Sequence, residues 1–432
     1  MKLLPSVLSS LLWVHAIAAT PFVQGADDWS RFRGGDGAGV SSASTPPVQW
    51  SESANIAWRT AMPGAGASSP VMFDGKMFLT CFTMPGQGTD SDSPESSTGE
   101  DGVMQRHVLC LDPRGGEILW STPLPSTHDP GALEGFVALH GFASSTPVVD
   151  ETGVYVFFGT TGAAAFNHDG SHRWTTHLGD KTHAFGTANS PVLHGDTVII
   201  NASVECGALV ALNKTDGSEV WRAENINRSW NTPLLYRALD GNQELTLSVQ
   251  GKVIAFDPAT GEQVWEAGAI DDYICPSVIE HEGVIYAVGG RARKLIAIQS
   301  GGRGDVTESH VLWALDRGSN VSSPVFHEGH LYWANESQGI VYCADTKSGT
   351  LVYEERLDPK PDRIYASPLV AAGMVYYVSR DSGVYVVAAS PSFRLIAHNK
   401  IATDESIFNA SPITVGERLI LRSDQYVYAI GE

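Results

Sequence analysis

The chain has 432 residues, 43% hydrophobic and 18% charged, with a formal net charge of −20. That length exceeds what one hydrophobic core usually fills, so the chain is multidomain or built of repeats, and the composition is that of a globular body rather than a disordered one. The acidic balance excludes a surface made to hold phosphate backbones, and no nucleic-acid partner is expected.

The N-terminus reads as a secretory leader. Lys2 supplies a minimal positive region, Leu3 to Ala19 is an apolar stretch, and Ala16-Ile17-Ala18 fits a small-residue cleavage site. Residues 1–18 are taken as the signal peptide, with cleavage as late as residue 25 at Val23-Gln24-Gly25. No later apolar run is long enough for a transmembrane helix, so the expected location is periplasmic or secreted. Residues 19–49 form a segment expected to pack on the folded body, with Trp29 and Phe32 of Asp28-Trp29-Ser30-Arg31-Phe32-Arg33-Gly34-Gly35 as a clasp. Residues 50–432 form the body itself.

The body is repetitive, and the repeats decide its fold. An anchor of a small or polar residue, Pro, then an aliphatic recurs as Ser69-Pro70-Val71, Thr146-Pro147-Val148, Ser190-Pro191-Val192 and Thr232-Pro233-Leu234. It continues as Cys275-Pro276-Ser277-Val278, Ser323-Pro324-Val325, Ser367-Pro368-Leu369 and Ser411-Pro412-Ile413. From Pro147 onward the prolines are 42 to 48 residues apart. After each anchor come a short apolar strand, a tight turn, a second strand, a Gly-bearing turn and a third strand. An Asp/Asn-x-x-x-Gly turn such as Asp112 to Gly116 or Asn213 to Gly217 then leads to a fourth strand ending on an aromatic: Trp120, Trp174, Trp221, Trp265, Trp313 or Tyr353. Four short strands per repeat of this length is the pattern of a propeller blade. The expected fold is all-β, an eight-bladed β-propeller of four-stranded antiparallel blades.

The last repeat has only three strands before the chain stops at Glu432, and Asn55-Ile56-Ala57-Trp58-Arg59 supplies the missing one. An N-terminal strand therefore closes the ring, which removes the exposed sheet edges. The seventh unit ends on Phe393-Arg394-Leu395-Ile396 without the aromatic, so its interface is expected to be less well packed.

These Asp/Asn-x-x-x-Gly-x-x-x-Trp units resemble the repeats of pyrroloquinoline-quinone-type propellers over about residues 50–432. That family includes quinoprotein alcohol dehydrogenases and a periplasmic lipoprotein that scaffolds outer-membrane β-barrel assembly. The resemblance to the scaffold implies a non-catalytic binding propeller without a cofactor, whose partners are envelope proteins or peptides. The alternative it implies is a pyrroloquinoline-quinone-dependent oxidoreductase with calcium. Such enzymes carry an adjacent Cys pair beside the quinone, whereas Cys81, Cys110, Cys206, Cys275 and Cys343 stand apart. The cysteines also form no CxxC, and the number is odd. They read as small buried hydrophobes, with no metal site and no catalytic set selected.

The departures from the repeat are insertions at 82–106 and 121–144, both belonging to the first blade and its exit and expected to lie near each other. Loops between second and third strands and between blades should share one face around a central funnel. They bring Trp230, Asn231, Tyr273, Arg291, Arg293, Tyr365, Arg380, Asp381 and Glu205 to it as candidate binding residues. A monomer is expected.

Overall fold

A computed structural model describes residues 29–43, 45–85, 103–128 and 131–432. The secretory leader and most of the first insertion lie outside the described residues. Eight antiparallel sheets follow one another around a ring. Blades 1 to 8 begin at the strands Val71–Phe73, Val148–Asp150, Val192–His194, Leu234–Arg237, Ile279–His281, Val325–His327, Leu369–Ala371 and Ile413–Val415. Blade 3 shows the plan: Val192–His194, Thr197–Ala202, Ala208–Asn213 and Glu219–Glu224 pair in chain order. Its third strand, Ala-Leu-Val-Ala-Leu-Asn, is buried on both faces because neighbouring blades cover it from either side. The outermost strand of blade 4, Gln263–Gly268, alternates between buried and partly open positions, the two-residue period of a half-covered strand. Among the described residues no helix is long and apolar enough to cross a membrane.

Blade 8 is completed from the other end of the chain. Ile56–Ala61 pairs antiparallel with Tyr426–Ile430, with Arg59 opposite Tyr428 and Thr60 opposite Val427. A second closure lies at the channel. Each anchor residue's amide donates to the hydroxyl of the next blade's anchor: Ser69 to Thr146 at 2.9 Å, Thr146 to Ser190 at 3.0 Å, Ser190 to Thr232 at 2.9 Å and Thr232 to Ser277 at 3.0 Å. The circle continues from Ser277 to Ser323, Ser323 to Ser367, Ser367 to Ser411 and Ser411 back to Ser69, all at 2.9–3.0 Å. The fifth anchor is thus Ser277 rather than Cys275, and Pro276 precedes it where the other prolines follow theirs, two residues ahead of its counterparts. The hydroxyl, not the proline, is what the ring requires.

The recurrent Trp bridges blades. The indole N–H of Trp58, Trp120, Trp174, Trp221 and Trp313 donates to a carbonyl in the next blade's Asp/Asn-bearing turn, at 2.9–3.1 Å. Its ring lies on that turn's glycine: a Cβ on Gly217 would fall 2.6 Å from Trp174. Trp265 has no such turn to meet, because blade 5 replaces it with an insertion. That insertion contributes Gly304–Asp305, which pairs parallel with the outer strand of blade 4, and Trp265 donates to Glu244 instead, at 2.8 Å.

The blade 7 to blade 8 junction differs from expectation. Its outer strand carries no aromatic, yet the wedge is filled by Trp50, only 5% exposed. The Trp50 amide donates to Asn399 Oδ1 at 3.0 Å, and Asn399 Nδ2 donates to the Val48 carbonyl at 2.9 Å. Ile396 and Ala397 pack against the same cluster. An aromatic from outside the repeats takes the vacant place.

Residues 29–41 do more than clasp the ring: they cross its channel. The Trp29 and Ser30 carbonyls accept from Met72 and Val149, Gly39 accepts from Val370, and Val40 bridges Val370. Arg33, 3% exposed, donates to the carbonyls of Gly37 at 3.1 Å, Ala38 at 2.7 Å and Pro324 at 2.5 Å. Blades 1, 2, 6 and 7 are thereby tied to one strap, which closes the channel beneath the funnel.

Candidate functional site

Above that strap the channel widens into a cavity of about 480 Å³, in the range of small-ligand sites. Phe32 of the strap and the hydroxyl ring form its floor. Its walls come from loops between blades and from loops between second and third strands, so the two loop classes do share one face.

One arc is aromatic. Phe185 meets Phe136 and Trp230 edge-on, at 5.1 and 5.4 Å between centroids, and Tyr273 at a tilt, at 5.0 Å. The Trp230 indole N–H donates to the Gly186 carbonyl at 2.8 Å, which fixes the ring. Phe136 is 53% exposed, an apolar ring left at the mouth. It belongs to the second insertion, which also brings Leu139 and His140 into the wall. That wall is held from both sides. His140 Nε2 bonds the Phe185 carbonyl at 2.6 Å, while Arg380 and Asn409 donate to the Leu139 carbonyl at 3.1 and 2.6 Å. Burial pushes the His140 pKa down, which favours the neutral ring.

The other arc is polar. Arg291 lies over the Tyr273 ring at 5.3 Å, Asn320 donates to the Tyr273 hydroxyl at 2.8 Å, and Arg363 donates to the Tyr365 hydroxyl at 3.0 Å. Glu336 faces the cavity but is engaged by Arg293 at 3.4 Å and by the Asn320 amide at 3.3 Å.

Of the nine residues read from the sequence, Trp230, Tyr273, Arg291 and Tyr365 line the cavity. The other five stand behind or away from it. Asn231 is buried and bonds the Ser229 hydroxyl and the Ser248 carbonyl. Arg293 backs Glu336, and Arg380 backs Tyr365, lying 5.0 Å over its ring. Asp381 borders a separate crevice with Trp50 and Phe408. Glu205, 2% exposed, lies in a narrow cleft of about 30 Å³ with Arg106, Thr160 and Lys181, and burial raises its pKa to about 7. Phe136, Leu139, His140 and Phe185 were not singled out from the sequence. They carry no motif, and only the length of the second insertion pointed toward three of them.

The residues do not fit a quinone held with calcium. The one cysteine at the cavity, Cys275, has no adjacent partner, and burial lifts its thiol to about 12, leaving it inert. Glu336, the carboxylate on the wall, is already paired with a guanidinium, so a dication there would sit beside a fixed positive charge. Ser144 and His140 both line the cavity, with Ser144 Oγ 2.6 Å from His140 Nδ1. His140 Nε2 is taken by the Phe185 carbonyl and Ser144 also bonds the His140 carbonyl, so the pair braces the wall of the insertion.

The family profile described as outer membrane protein assembly factor BamB matches residues 98–224, 205–320 and 249–430. The outer membrane protein assembly factor BamB of Yersinia pestis is 24% identical over 293 residues, 64% of this chain and 66% of the relative. That of Burkholderia pseudomallei is 24% identical over 204 residues, 44% of this chain and 49% of the relative. The chain thus spans about two thirds or less of the length of these relatives. Among solved structures, BamB from Moraxella catarrhalis superposes with a TM-score of 0.58 at 15% identity, covering 87% of this chain and 98% of that one. Quinohemoprotein alcohol dehydrogenase from Comamonas testosteroni gives 0.63 at 12% identity, covering 94% and 81%. At such identities these likenesses show the propeller fold alone. The profile, however, runs through the repeats of all eight blades and covers well over half of the sequence, so this chain belongs to the BamB family of pyrroloquinoline-quinone-type repeat propellers.

Proposed function

We propose that this protein is a non-catalytic scaffold of the cell envelope that acts in outer-membrane protein assembly, the role named for its relatives, and that its funnel grips a segment of a partner protein. The observation that carries this reading is the cavity itself: an aromatic arc from Phe136 to Tyr273 facing Arg291 and Arg363, over a floor closed by the chain's own strap. About 480 Å³ holds one or two large side chains rather than a folded domain. The aromatic arc offers stacking and apolar area, and the two arginines at its edge suit a carboxylate beside the inserted ring. The preferred ligand is therefore an extended peptide with an aromatic residue next to an acidic group. A periplasmic location follows from the same reading.

The test is fluorescence anisotropy of labelled peptides with the purified protein. Peptides carrying an aromatic-acidic pair should bind, and Phe136→Ala with Tyr365→Ala should weaken them about tenfold or more, the scale of lost interface anchors. Titration with pyrroloquinoline quinone plus calcium, and dye-linked alcohol oxidation, should show neither binding nor turnover. Quinone binding with turnover overturns the scaffold reading; equal binding of aromatic-free peptides overturns the funnel's role.

A further inference from the structure

Away from the funnel, the second insertion and the ring meet at three groups no repeat explains. His128 lies near the start of the insertion, and His177 and Asp180 follow the outer strand of blade 2, His172–Thr176. Asp180 Oδ1 is 3.0 Å from His177 Nε2 and 3.5 Å from His128 Nε2. The ligating atoms all lie within 4.8 Å of one another. Zinc bonds of about 2.0–2.1 Å in a tetrahedron set neighbouring ligand atoms about 3.3 Å apart, so two edges of the figure already have the right length.

Outer hydrogen bonds orient the rings. His177 Nδ1 meets the Thr160 carbonyl at 2.9 Å, a partner that can only accept, so this nitrogen carries the proton and Nε2 keeps its lone pair in the neutral ring. His128 Nδ1 bonds the Thr127 hydroxyl at 2.9 Å, which leaves its Nε2 free to turn toward the same point. A carbonyl or hydroxyl behind the far nitrogen is the usual support of a metal-bound imidazole. The His177 Nε2 lone pair and the Asp180 carboxylate oxygen face the Nε2 of His128, whose tautomer the Thr127 hydroxyl leaves free, so a cation between them can draw on all three. The Ser126 hydroxyl, which receives Arg106 at 3.1 Å, donates to the His128 carbonyl at 2.8 Å and fixes the backbone there.

We propose that His128, His177 and Asp180 form a zinc site that fastens the second insertion to the ring. Two imidazoles and one carboxylate are a ligand set that zinc accepts, with a fourth position open to water. The rings are stacked at 4.0 Å and 16°, and a metal bound to both must lie in both ring planes. Binding therefore splays them, and side chains 40% and 36% exposed turn without disturbing a core. The same insertion carries Phe136, Leu139 and His140, so zinc stiffens one wall of the funnel from outside it.

The experiment is calorimetric titration of the full chain, purified without a histidine tag, with Zn²⁺, and with Co²⁺ read by its visible absorption. One equivalent should bind. His128→Ala, His177→Ala and Asp180→Asn should each weaken binding about tenfold or more and remove the Co²⁺ bands. Asp180 is largely open and both imidazoles are more than a third exposed, so apo thermal midpoints should match the wild type and show that each variant folds. Absence of Zn²⁺ binding in the wild type, or undiminished binding in the His128→Ala/His177→Ala double variant, overturns the proposal.

Discussion

The amide of Ser411 donates to the Oγ of Ser69 at 3.0 Å, although 342 residues separate them. This bond joins the last blade to the first and completes a circle of eight such bonds around the channel. Ser411 is also an acceptor, receiving the Ser367 amide at 3.0 Å. Ser411→Ala should leave that buried amide without a partner and lower stability by about 1–3 kcal/mol, while Ser411→Thr should cost much less. The midpoint of urea unfolding measures both; equal losses would show that the hydroxyl does not matter.

The indole of Trp174 and the backbone of Gly217 form the corresponding joint at the rim. Gly217 has φ of +73°, and an added Cβ would meet the indole at 2.6 Å. Gly217→Ala should therefore destabilise strongly, through both the backbone conformation and the displaced ring. Trp174→Phe keeps most of the buried area but loses the donation to the Lys214 carbonyl, so a loss of about 1–3 kcal/mol is expected. A glycine variant milder than the Phe variant in equilibrium unfolding would contradict this account.

Burial raises Glu205 from 4.5 to about 7. Between those values the native state holds a proton that the unfolded chain has released, so the contribution of this group to stability falls as pH rises through that window. Glu205→Gln should flatten the decline in thermal midpoint between pH 5 and pH 8. An unchanged slope in the variant would remove Glu205 from the explanation.

Arg33 holds three carbonyls with one guanidinium and ties the strap to blade 6. Arg33→Lys keeps the charge but not the fork, so it should lower the thermal midpoint nearly as far as Arg33→Ala. A full rescue by lysine, read in the same melting experiment, would mean that charge and not geometry secures the strap.

The funnel was legible as a face but only partly as a set of residues. Trp230, Tyr273, Arg291 and Tyr365 could be placed because their loops keep the blade register. Asn231, though adjacent to Trp230, points into the blade, since neighbouring residues in such a loop face opposite ways. Glu205 and Arg380 sit in the expected loops yet are drawn inward, where Thr187 and Asn409 provide partners. Phe136 and His128 lie in an insertion without periodicity, and nothing local says which blade they reach.

Repetition let the sequence alone determine the eight blades, the strand order and the closure by Ile56–Ala61, because each repeat must bury the same faces against the same neighbours. Tertiary structure alone decided what fills the exceptions. Trp50 occupies the junction that lacks its aromatic, Ser277 rather than Pro276 aligns the fifth anchor, residues 29–41 close the channel, and His128 finds His177 and Asp180. Each of these depends on where an aperiodic segment lands in space, and chain entropy and packing settle that only once the ring exists to receive it.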